Sequence, residues 1–240
     1  MKLLETLLEE KAGRRKGGIY HKTQILLAYN TNRMEGSKLS EEQTRYIYET
    51  NTVFTEKGEE TANVDDILET VNHFHCFDYM LKIASEPLSE THIKKFHTIL
   101  KFNTSDARKD WFNIGEYKSK SNLVGDVETA KPNEVQKLMS KLLTCYSAKN
   151  QKDIYDVIDF HYQFEKIHPF QDGNGRVGRL IMFKECLKHQ IVPLIIEDEF
   201  KFFYFIGLSE YPKVKEYLFD TCLSAQDQYI KLLKYFEVEH

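Results

Sequence analysis

The chain has 240 residues, of which 41% are hydrophobic, so it can bury one sizeable core and is not disordered as its main state. A total of 33 basic and 37 acidic side chains gives a formal net charge of −4, which excludes a chain-wide positive field for nucleic acid or an anionic membrane. No apolar run approaches the roughly 18 residues that span a bilayer, and acidic residues interrupt the apolar N-terminus where a secretory signal would be continuous. We therefore expect a cytoplasmic protein without a nucleic-acid or membrane partner, whose four separated cysteines are reduced and mostly buried.

Helical spacing of apolar residues dominates the first half of the chain and predicts a mainly α fold. A short amphipathic helix precedes the glycine-rich segment 13–18. A second helix lies within 20–37 and stops at Gly36, a residue typical of helix C-termini. Asn63 and Ser89 are each placed to cap a later helix.

The helical pattern continues in the second half. Pro132 suits the first turn of a helix. The helix after it must end before His168 and Pro169, because the residue that precedes a proline is pushed out of the α region. Another helix begins near Gly173, and the rest of the chain predicts further helix interrupted at Pro212.

The region 111–131 departs from helical spacing. Its segments 115–119 and 121–125 flank a short polar turn and predict a small β-hairpin. Neither an internal repeat nor a long flexible linker divides the chain. We expect a single domain over 1–240.

A short segment between two predicted helices concentrates groups suited to phosphate chemistry. Gly173, Asn174 and Gly175 at a helix start can turn backbone N–H groups toward an anion, and the helix dipole adds to the attraction. Arg176 and Arg179 follow one turn apart on that helix. Cations near a helix N-terminus oppose the dipole at a cost of roughly 0.3–1 kcal/mol each, so two of them indicate a polyanionic ligand.

Two further groups precede this helix. Asp172 is a hard oxygen ligand of the kind that Mg²⁺ takes between phosphates, and His168 offers an imidazole that accepts a proton near neutral pH. Singly, each feature is ordinary, since an aspartate often caps a helix and Gly-Asn-Gly often forms a tight turn. Together, a base, a metal ligand, an anion-binding backbone and two cations are the parts of phosphoryl or nucleotidyl transfer.

The same residues contain the G-x-G-x-x-G pattern of dinucleotide-binding oxidoreductases, in Gly173, Gly175 and Gly178. That fingerprint requires a strand immediately before it, whereas helical spacing precedes this segment and no β-α alternation follows. Pro193 also interrupts the second strand that such a fold needs. A dinucleotide-binding oxidoreductase stays only as an alternative.

One contiguous segment resembles the signature of the Fic domain family. It reads His168-Pro-Phe170-Gln-Asp172-Gly-Asn-Gly-Arg176-Val-Gly-Arg179 and fits H-x-F-x-[DE]-G-N-G-R-x-x-R at every position. Most characterised members of the family bind ATP with Mg²⁺ and transfer AMP to a protein hydroxyl. The resemblance implies a single helical Fic-like domain with a small hairpin flap in 111–131 that docks the target protein, and a catalytic loop and helix in 168–190.

The resemblance also implies a role for each residue of the motif. His168 is the general base, Phe170 a buried anchor of the loop and Asp172 the ligand of Mg²⁺. The implied nucleotide contacts are Gly173, Asn174, Gly175, Arg176, Arg179 and, near the base, Tyr204. The implied flap residues are Tyr117, Lys118, Asn122 and Leu123.

A second motif, Thr31-Asn-Arg-Met-Glu35-Gly36, fits the family's inhibitory pattern [ST]-x-x-x-E-[GN]. In that motif the glutamate pairs with the second arginine of the catalytic segment and misplaces the γ-phosphate. Glu35 lies at a predicted helix C-terminus, where the dipole disfavours a carboxylate, so a cation such as Arg179 would explain its position. We expect a protein adenylyltransferase that Glu35 inhibits and that can also modify itself.

Several alternatives stay open beside this expectation. The same site can serve to remove AMP from a modified protein, to transfer another nucleotide, or to bind a nucleotide without turnover. His73, His75 and Cys76 are candidate metal ligands, although no second ligand cluster accompanies them. The expected partners are ATP and a target protein with a Ser, Thr or Tyr hydroxyl, and self-association of the chain stays open.

Overall fold

The computed structural model describes residues 2–55, 61–125 and 127–239. Within these ranges the regular structure consists of ten α-helices, one two-stranded sheet and two short 3₁₀ turns, which confirms the mainly α prediction. The elements in chain order are α1 (Lys2–Ala12), α2 (Ile19–Met34), α3 (Glu41–Thr50), α4 (Val64–Lys82), α5 (Glu90–Leu100), β1 (Leu123–Val124), β2 (Val127–Glu128), α6 (Pro132–Ser147), α7 (Ile154–Ile167), α8 (Asn174–Lys188), α9 (Lys201–Glu210) and α10 (Glu216–Tyr235). None of the described helices is long and apolar enough to cross a membrane.

Three helices begin where the sequence predicts. The Asn63 side-chain oxygen accepts a hydrogen bond from the Asp65 N–H at 2.9 Å, which caps α4. Ser89 caps α5 by accepting from the His92 N–H at 3.2 Å. Pro132 lies in the first turn of α6, where its missing N–H costs no helical hydrogen bond. Local chemistry therefore fixes the start of each of these helices.

The N-terminal half differs from the prediction in two places. Helix α2 begins at Ile19 and ends at Met34, so it starts somewhat earlier than the range 20–37. Helix α3 is missing from the prediction, although a capping box marks its start: Ser40 Oγ accepts from the Gln43 N–H at 3.2 Å, and the Gln43 side chain accepts from the Ser40 N–H at 2.9 Å. The sequence does contain this capping box, but the apolar pattern of α3 is too short to predict the helix by its periodicity.

The hairpin lies within 111–131, but its strands differ from the predicted arms. Strands β1 and β2 pair antiparallel, with Leu123 opposite Glu128 and Val124 opposite Val127. The segment 115–119, predicted as the first arm, is not a strand, because its backbone bonds elsewhere: the Lys118 N–H donates to the Pro169 carbonyl at 2.8 Å. Residue 126, which belongs to the predicted flap, lies outside the described residues.

Helix α8 lies at the centre of the fold and contacts α2, α4, α5 and α7. Its side chains are buried all round from Asn174 to Leu187, as expected of a helix without one polar face. Three cysteines are buried and Cys145 is exposed, and all four are free thiols. The catalytic segment therefore leads directly into the most enclosed helix of the molecule.

Candidate active site

The segment that joins α7 to α8 has a tightly turned backbone. His168 ends α7 in the left-handed conformation, with φ 52°, and its N–H donates to the Phe164 carbonyl at 2.9 Å. Gly173 precedes α8 with φ 80°, a conformation that glycine adopts without strain. A left-handed non-glycine residue costs of the order of 1–3 kcal/mol and is typical of functional sites.

Asn174 and Phe170 fix the shape of this loop. The Asn174 side chain accepts from the Phe170 N–H at 2.7 Å and donates to the Phe170 carbonyl at 2.9 Å. The Phe170 ring is fully buried and stacks on His97 with a centroid separation of 4.1 Å. Phe170 thus occupies an anchoring position. Asn174 uses its side chain to hold the loop, so only its backbone N–H is left for an anion.

The Asp172 carboxylate lies between two buried cations. One of its oxygens accepts from Lys101 Nζ at 2.7 Å and from the Arg176 guanidinium at 3.0 Å. Partial burial acts to raise the pKa of Asp172, but Arg176 and Lys101 outweigh it and hold that pKa well below its usual range. The carboxylate is therefore ionised at neutral pH.

The chemistry of this site fits a metal ion that is shared with a ligand. The Asp172 side chain is 45% exposed, and an ionised, accessible carboxylate is what Mg²⁺ uses beside phosphate oxygens. Among the residues that the structure describes, no group of three or more His, Cys, Asp or Glu side chains could hold a metal. His73 and Cys76 are buried while His75 is exposed, so the alternative metal site proposed from these three residues is wrong.

Lys101 is a site residue that the sequence analysis does not identify. Its ammonium is 2% exposed and, besides Asp172, contacts Glu69 at 2.6 Å and Asp106 at 2.8 Å. Glu69 also pairs with Arg176, so α4, α5 and the catalytic loop share one network of charges. No motif marks Lys101, because a lysine after the last turn of a helix is common.

Arg179 is buried and held by the C-terminal part of α2. Its guanidinium donates to a Glu35 carboxylate oxygen at 2.5 Å and to the Thr31 hydroxyl at 2.5 Å. The Thr31 carbonyl accepts a further bond at 3.2 Å. Gly36 turns the chain away directly afterwards, with φ 99°. The structure thus brings together two motifs that lie 144 residues apart.

The Glu35 carboxylate lies over the first turn of α8. A methyl group in place of the Gly175 hydrogen would lie 2.2 Å from Glu35 Oε1 and 2.9 Å from an Arg179 nitrogen. The N-terminus of a helix is where backbone N–H groups attract an anion. In this structure the anion at that position is a side chain of the protein itself.

The His168 imidazole is held in its neutral form. Burial is the largest influence and lowers its pKa to about 4, with Lys118 acting in the same direction. Glu35 and Asp172 oppose this shift without reversing it. Its Nδ1 atom has no hydrogen-bond partner among the described residues. A neutral imidazole is the form that accepts a proton.

Three of the four predicted flap residues are tied to the catalytic loop. The Tyr117 ring packs on Phe170 with a centroid separation of 5.7 Å, and the Asn122 amide donates to the Phe170 carbonyl at 3.3 Å. Lys118 is buried, whereas Leu123 is 61% exposed. Of these four predicted flap residues, Leu123 on β1 is therefore the one whose side chain is exposed.

Tyr204 does not lie where the resemblance implies. Its side chain is fully buried, and its hydroxyl pairs with His161 Nε2 at 2.7 Å. Its ring centroid lies 5.9 Å from the guanidinium carbon of Arg179. No face of the ring is open to a nucleotide base, so the prediction of a base contact is wrong and Tyr204 supports Arg179 from the core.

The structure also bears on the oxidoreductase alternative. The segment before Gly173, Gly175 and Gly178 is helix α7 and not a strand. Over the described residues the sheet consists of β1 and β2 alone, so the parallel sheet of a dinucleotide-binding fold is missing there. Gly173 instead precedes the central helix α8, and Gly175 and Gly178 lie in its first turns.

Comparisons with known proteins agree with this arrangement. Residues 87–186 match the family model described as the Fic/DOC family. The chain is 25% identical over 200 residues to protein adenylyltransferase Fic of Nematostella vectensis, covering 79% of this chain and 44% of that protein. It is 26% identical over 194 residues to protein adenylyltransferase fic-1 of Caenorhabditis elegans, covering 78% of this chain and 36% of that protein. The chain thus spans less than half the length of these two relatives.

A solved structure shares the fold over nearly the whole chain. The crystal structure of a Fic domain containing signalling protein from Bacteroides thetaiotaomicron superposes with a TM-score of 0.75. The match covers 96% of this chain and 94% of that one at 20% sequence identity. At this identity the likeness concerns the arrangement of the helices.

Proposed function

Because residues 87–186 of this chain match the Fic/DOC family model, we propose that the protein transfers AMP from ATP to a hydroxyl side chain of a target protein. The observation that carries the proposal is the junction of α7 and α8. A neutral imidazole, an ionised and accessible carboxylate, an anion-binding helix start and two buried guanidinium groups meet there. These are the groups that nucleotidyl transfer requires.

In this proposal His168 removes the proton of the target hydroxyl. The hydroxyl oxygen forms a bond to the α-phosphorus, the bond from that phosphorus to the bridging oxygen breaks, and pyrophosphate leaves. The target keeps AMP as a phosphodiester, and the proton moves to the imidazole. A positioned base of this kind contributes a factor of about 10²–10⁴ in rate.

The nucleotide would bind along the start of α8. Backbone N–H groups of Gly173, Asn174 and Gly175 would meet phosphate oxygens, and Arg176 and Arg179 would balance the charge of the β- and γ-phosphates. Asp172 would hold Mg²⁺ together with phosphate oxygens, and the ion would neutralise charge on the departing pyrophosphate.

We also propose that Glu35 inhibits the transfer. Two observations support this role: the Glu35 carboxylate contacts Arg179 at 2.5 Å, and it lies against Gly175 where an anion would bind. Because Glu35 occupies Arg179, the γ-phosphate of an ATP molecule that enters the site would not be held by this arginine. Its α-phosphate would then not lie in line with the attacking hydroxyl of the target.

The position of Glu35 favours one second candidate function. A carboxylate at the phosphate site can also hold a water molecule and direct it at a phosphodiester, which would remove AMP from a modified protein. The test is to incubate an AMP-modified target with the wild-type protein and to follow the release of AMP, beside a Glu35→Gly variant that lacks the carboxylate.

The decisive experiment for the transfer uses labelled ATP. We expect label from α-phosphate-labelled ATP, and none from γ-phosphate-labelled ATP, on the Glu35→Gly protein or on proteins mixed with it. His168→Ala in the same background is the matched control and should carry no label. Label from the γ-position would instead identify a kinase, and ATP binding without any label would identify a regulatory module.

A further inference from the structure

A buried lysine lies beside the catalytic loop and plays no part in the mechanism above. Lys118 is 4% exposed, and its ammonium donates to the Asn122 side-chain oxygen at 2.8 Å and to the Thr129 hydroxyl at 2.6 Å. It also contacts the Ile167 carbonyl at 3.4 Å. All three acceptors are neutral, which is an expensive environment for a buried charge.

Lys118 contacts the backbone of the residues on either side of His168. Its ammonium contacts the carbonyl of Ile167, the residue before His168, and its backbone N–H donates to the carbonyl of Pro169, the residue after it, at 2.8 Å. One residue thus fixes the backbone on both sides of the base. A residue needed only to complete a hairpin would have no reason to make both contacts.

The other acceptors of Lys118 belong to the two ends of the flap. Asn122 precedes β1 and Thr129 follows β2, and the Thr129 hydroxyl also donates to Asn122, 3.0 Å from its carbonyl oxygen. The Asn122 amide continues to the Phe170 carbonyl at 3.3 Å. The ammonium therefore joins both ends of the hairpin to the loop that carries His168.

The charge of Lys118 acts on the imidazole together with two carboxylates, Glu35 after α2 and Asp172 in the loop. Glu165 on α7 contributes a backbone hydrogen bond that also raises the pKa of His168. Burial raises the pKa of Glu165 to about 8, so that group is largely uncharged at neutral pH. Burial lowers the pKa of Lys118 to about 8, which leaves it mostly charged at pH 7. Lys118 is thus the cation that opposes a proton on His168.

We propose that Lys118 is a positioning residue for the transfer reaction, because it fastens the backbone on both sides of His168 to the flap and its charge opposes protonation of the imidazole. This inference rests on the proposed function, which makes His168 the base. In this inference Lys118 acts through His168, the residue that it holds in place.

The first test measures the proton on His168 without any reaction. We would titrate the full chain by NMR and identify the His168 signal by its loss in a His168→Ala variant. Lys118→Met should raise the pKa of His168 by about one unit, because the protonated ring no longer faces a cation. Lys118→Arg, which keeps the charge, should shift it far less. Lys120→Met is the matched control, since Lys120 is an exposed lysine two residues away.

The second test measures transfer in the Glu35→Gly background. Lys118→Met should lower kcat about tenfold at pH 7, leave ATP binding unchanged and move the acid limb of the pH profile upward. Lys118→Arg should restore much of the rate. Lys118→Gln replaces the Met variant if that protein does not fold.

Two outcomes would overturn the inference. The first is an unchanged pKa of His168 in Lys118→Met and Lys118→Gln, and the second is an equal shift in Lys120→Met. If no variant transfers AMP, the proposed function fails on that result, whereas the NMR titration still decides the role of Lys118.

Discussion

Arg179 binds the Glu35 carboxylate at 2.5 Å, and in the proposed mechanism the same guanidinium would bind the γ-phosphate of ATP instead. Thr31 holds the same guanidinium through its hydroxyl and its carbonyl, so we expect the side chain to stay in place when Glu35 is removed. At the scale of single residues, the proposed inhibition therefore depends on one carboxylate.

Glu35→Gly should raise AMP incorporation at least tenfold, which corresponds to about 1.4 kcal/mol. Arg179→Ala should not activate, because it removes the inhibitory contact and the phosphate contact together. The double variant should resemble Arg179→Ala. Incorporation is measured for all four proteins under one set of conditions, and equal activity of the folded wild type and Glu35→Gly would falsify the inhibitory role.

The base itself gives a second prediction at this scale. His168→Ala should bind ATP normally by calorimetry while its transfer falls by about 10²–10⁴. The pKa of His168 is lowered to about 4, so the base is already neutral at pH 6 and protonates only as the pH approaches 4. The transfer rate of the Glu35→Gly protein should therefore show no His168-dependent change between pH 6 and 8. A limb near pH 6.5 would contradict the buried state of this imidazole.

At the scale of elements, Lys101 is the point where α4, α5 and the catalytic loop meet. Its ammonium contacts Glu69, Asp106 and Asp172, all within 2.8 Å. The loop therefore depends on a lysine outside its own sequence. Removing this cation leaves three carboxylates close together and partly buried.

Lys101→Met should lower the free energy of unfolding by about 3 kcal/mol, because it removes the one cation that all three partly buried carboxylates share. Urea denaturation followed by circular dichroism measures the loss. The loss should shrink as the pH falls below about 4, since Asp172 has a depressed pKa in the folded protein and the stability that it contributes is lost in acid. Lys95→Met, at an exposed site on α5, the helix that Lys101 follows, is the control and should change stability by less than about 0.5 kcal/mol.

Sequence reasoning succeeded where a short segment carries its own structure. Asn63 and Ser89 cap helices by contacts to neighbouring residues, and Pro132 starts one by its own ring. Sequence reasoning failed where contacts between distant segments of the chain determine the position of a side chain. The side chains of Lys101 and Lys118 find their partners only in the folded chain, and Tyr204 is in the core because α7 places His161 against its hydroxyl. The residues of the motif could thus be predicted as a candidate site, but Lys101, which holds Asp172 within it, could not.

At the scale of the whole molecule, the segment that carries Glu35 belongs to the core. Helix α2 buries residues on several sides and contacts α1, α3, α4 and α8. Its Ile19, Leu27 and Ala28 are at most 2% exposed. Such a helix cannot leave its place without loss of much of the fold.

Hydrogen exchange tests how the proposed inhibition is relieved. We expect the amides of α2 to stay protected when ATP binds to the wild type or to Glu35→Gly, because only the Glu35 side chain has to move. The exposed residues Thr52 and Thr55 serve as an internal reference for fast exchange. Strong loss of protection over α2 with ATP would show that the helix undocks instead.

The contact between Glu35 and Arg179 joins two parts of one chain, so in the proposed inhibition the carboxylate would compete with ATP at a fixed effective molarity. Dilution of the protein cannot weaken such a competitor. ADP has no γ-phosphate and meets no competition for Arg179, so the wild type should discriminate little between ADP and ATP. ADP, which the transfer neither consumes nor forms, would then occupy the site as well as ATP does and restrain the protein further as the ratio of ADP to ATP rises. The same ion pair would couple the activity to the energy state of the cell.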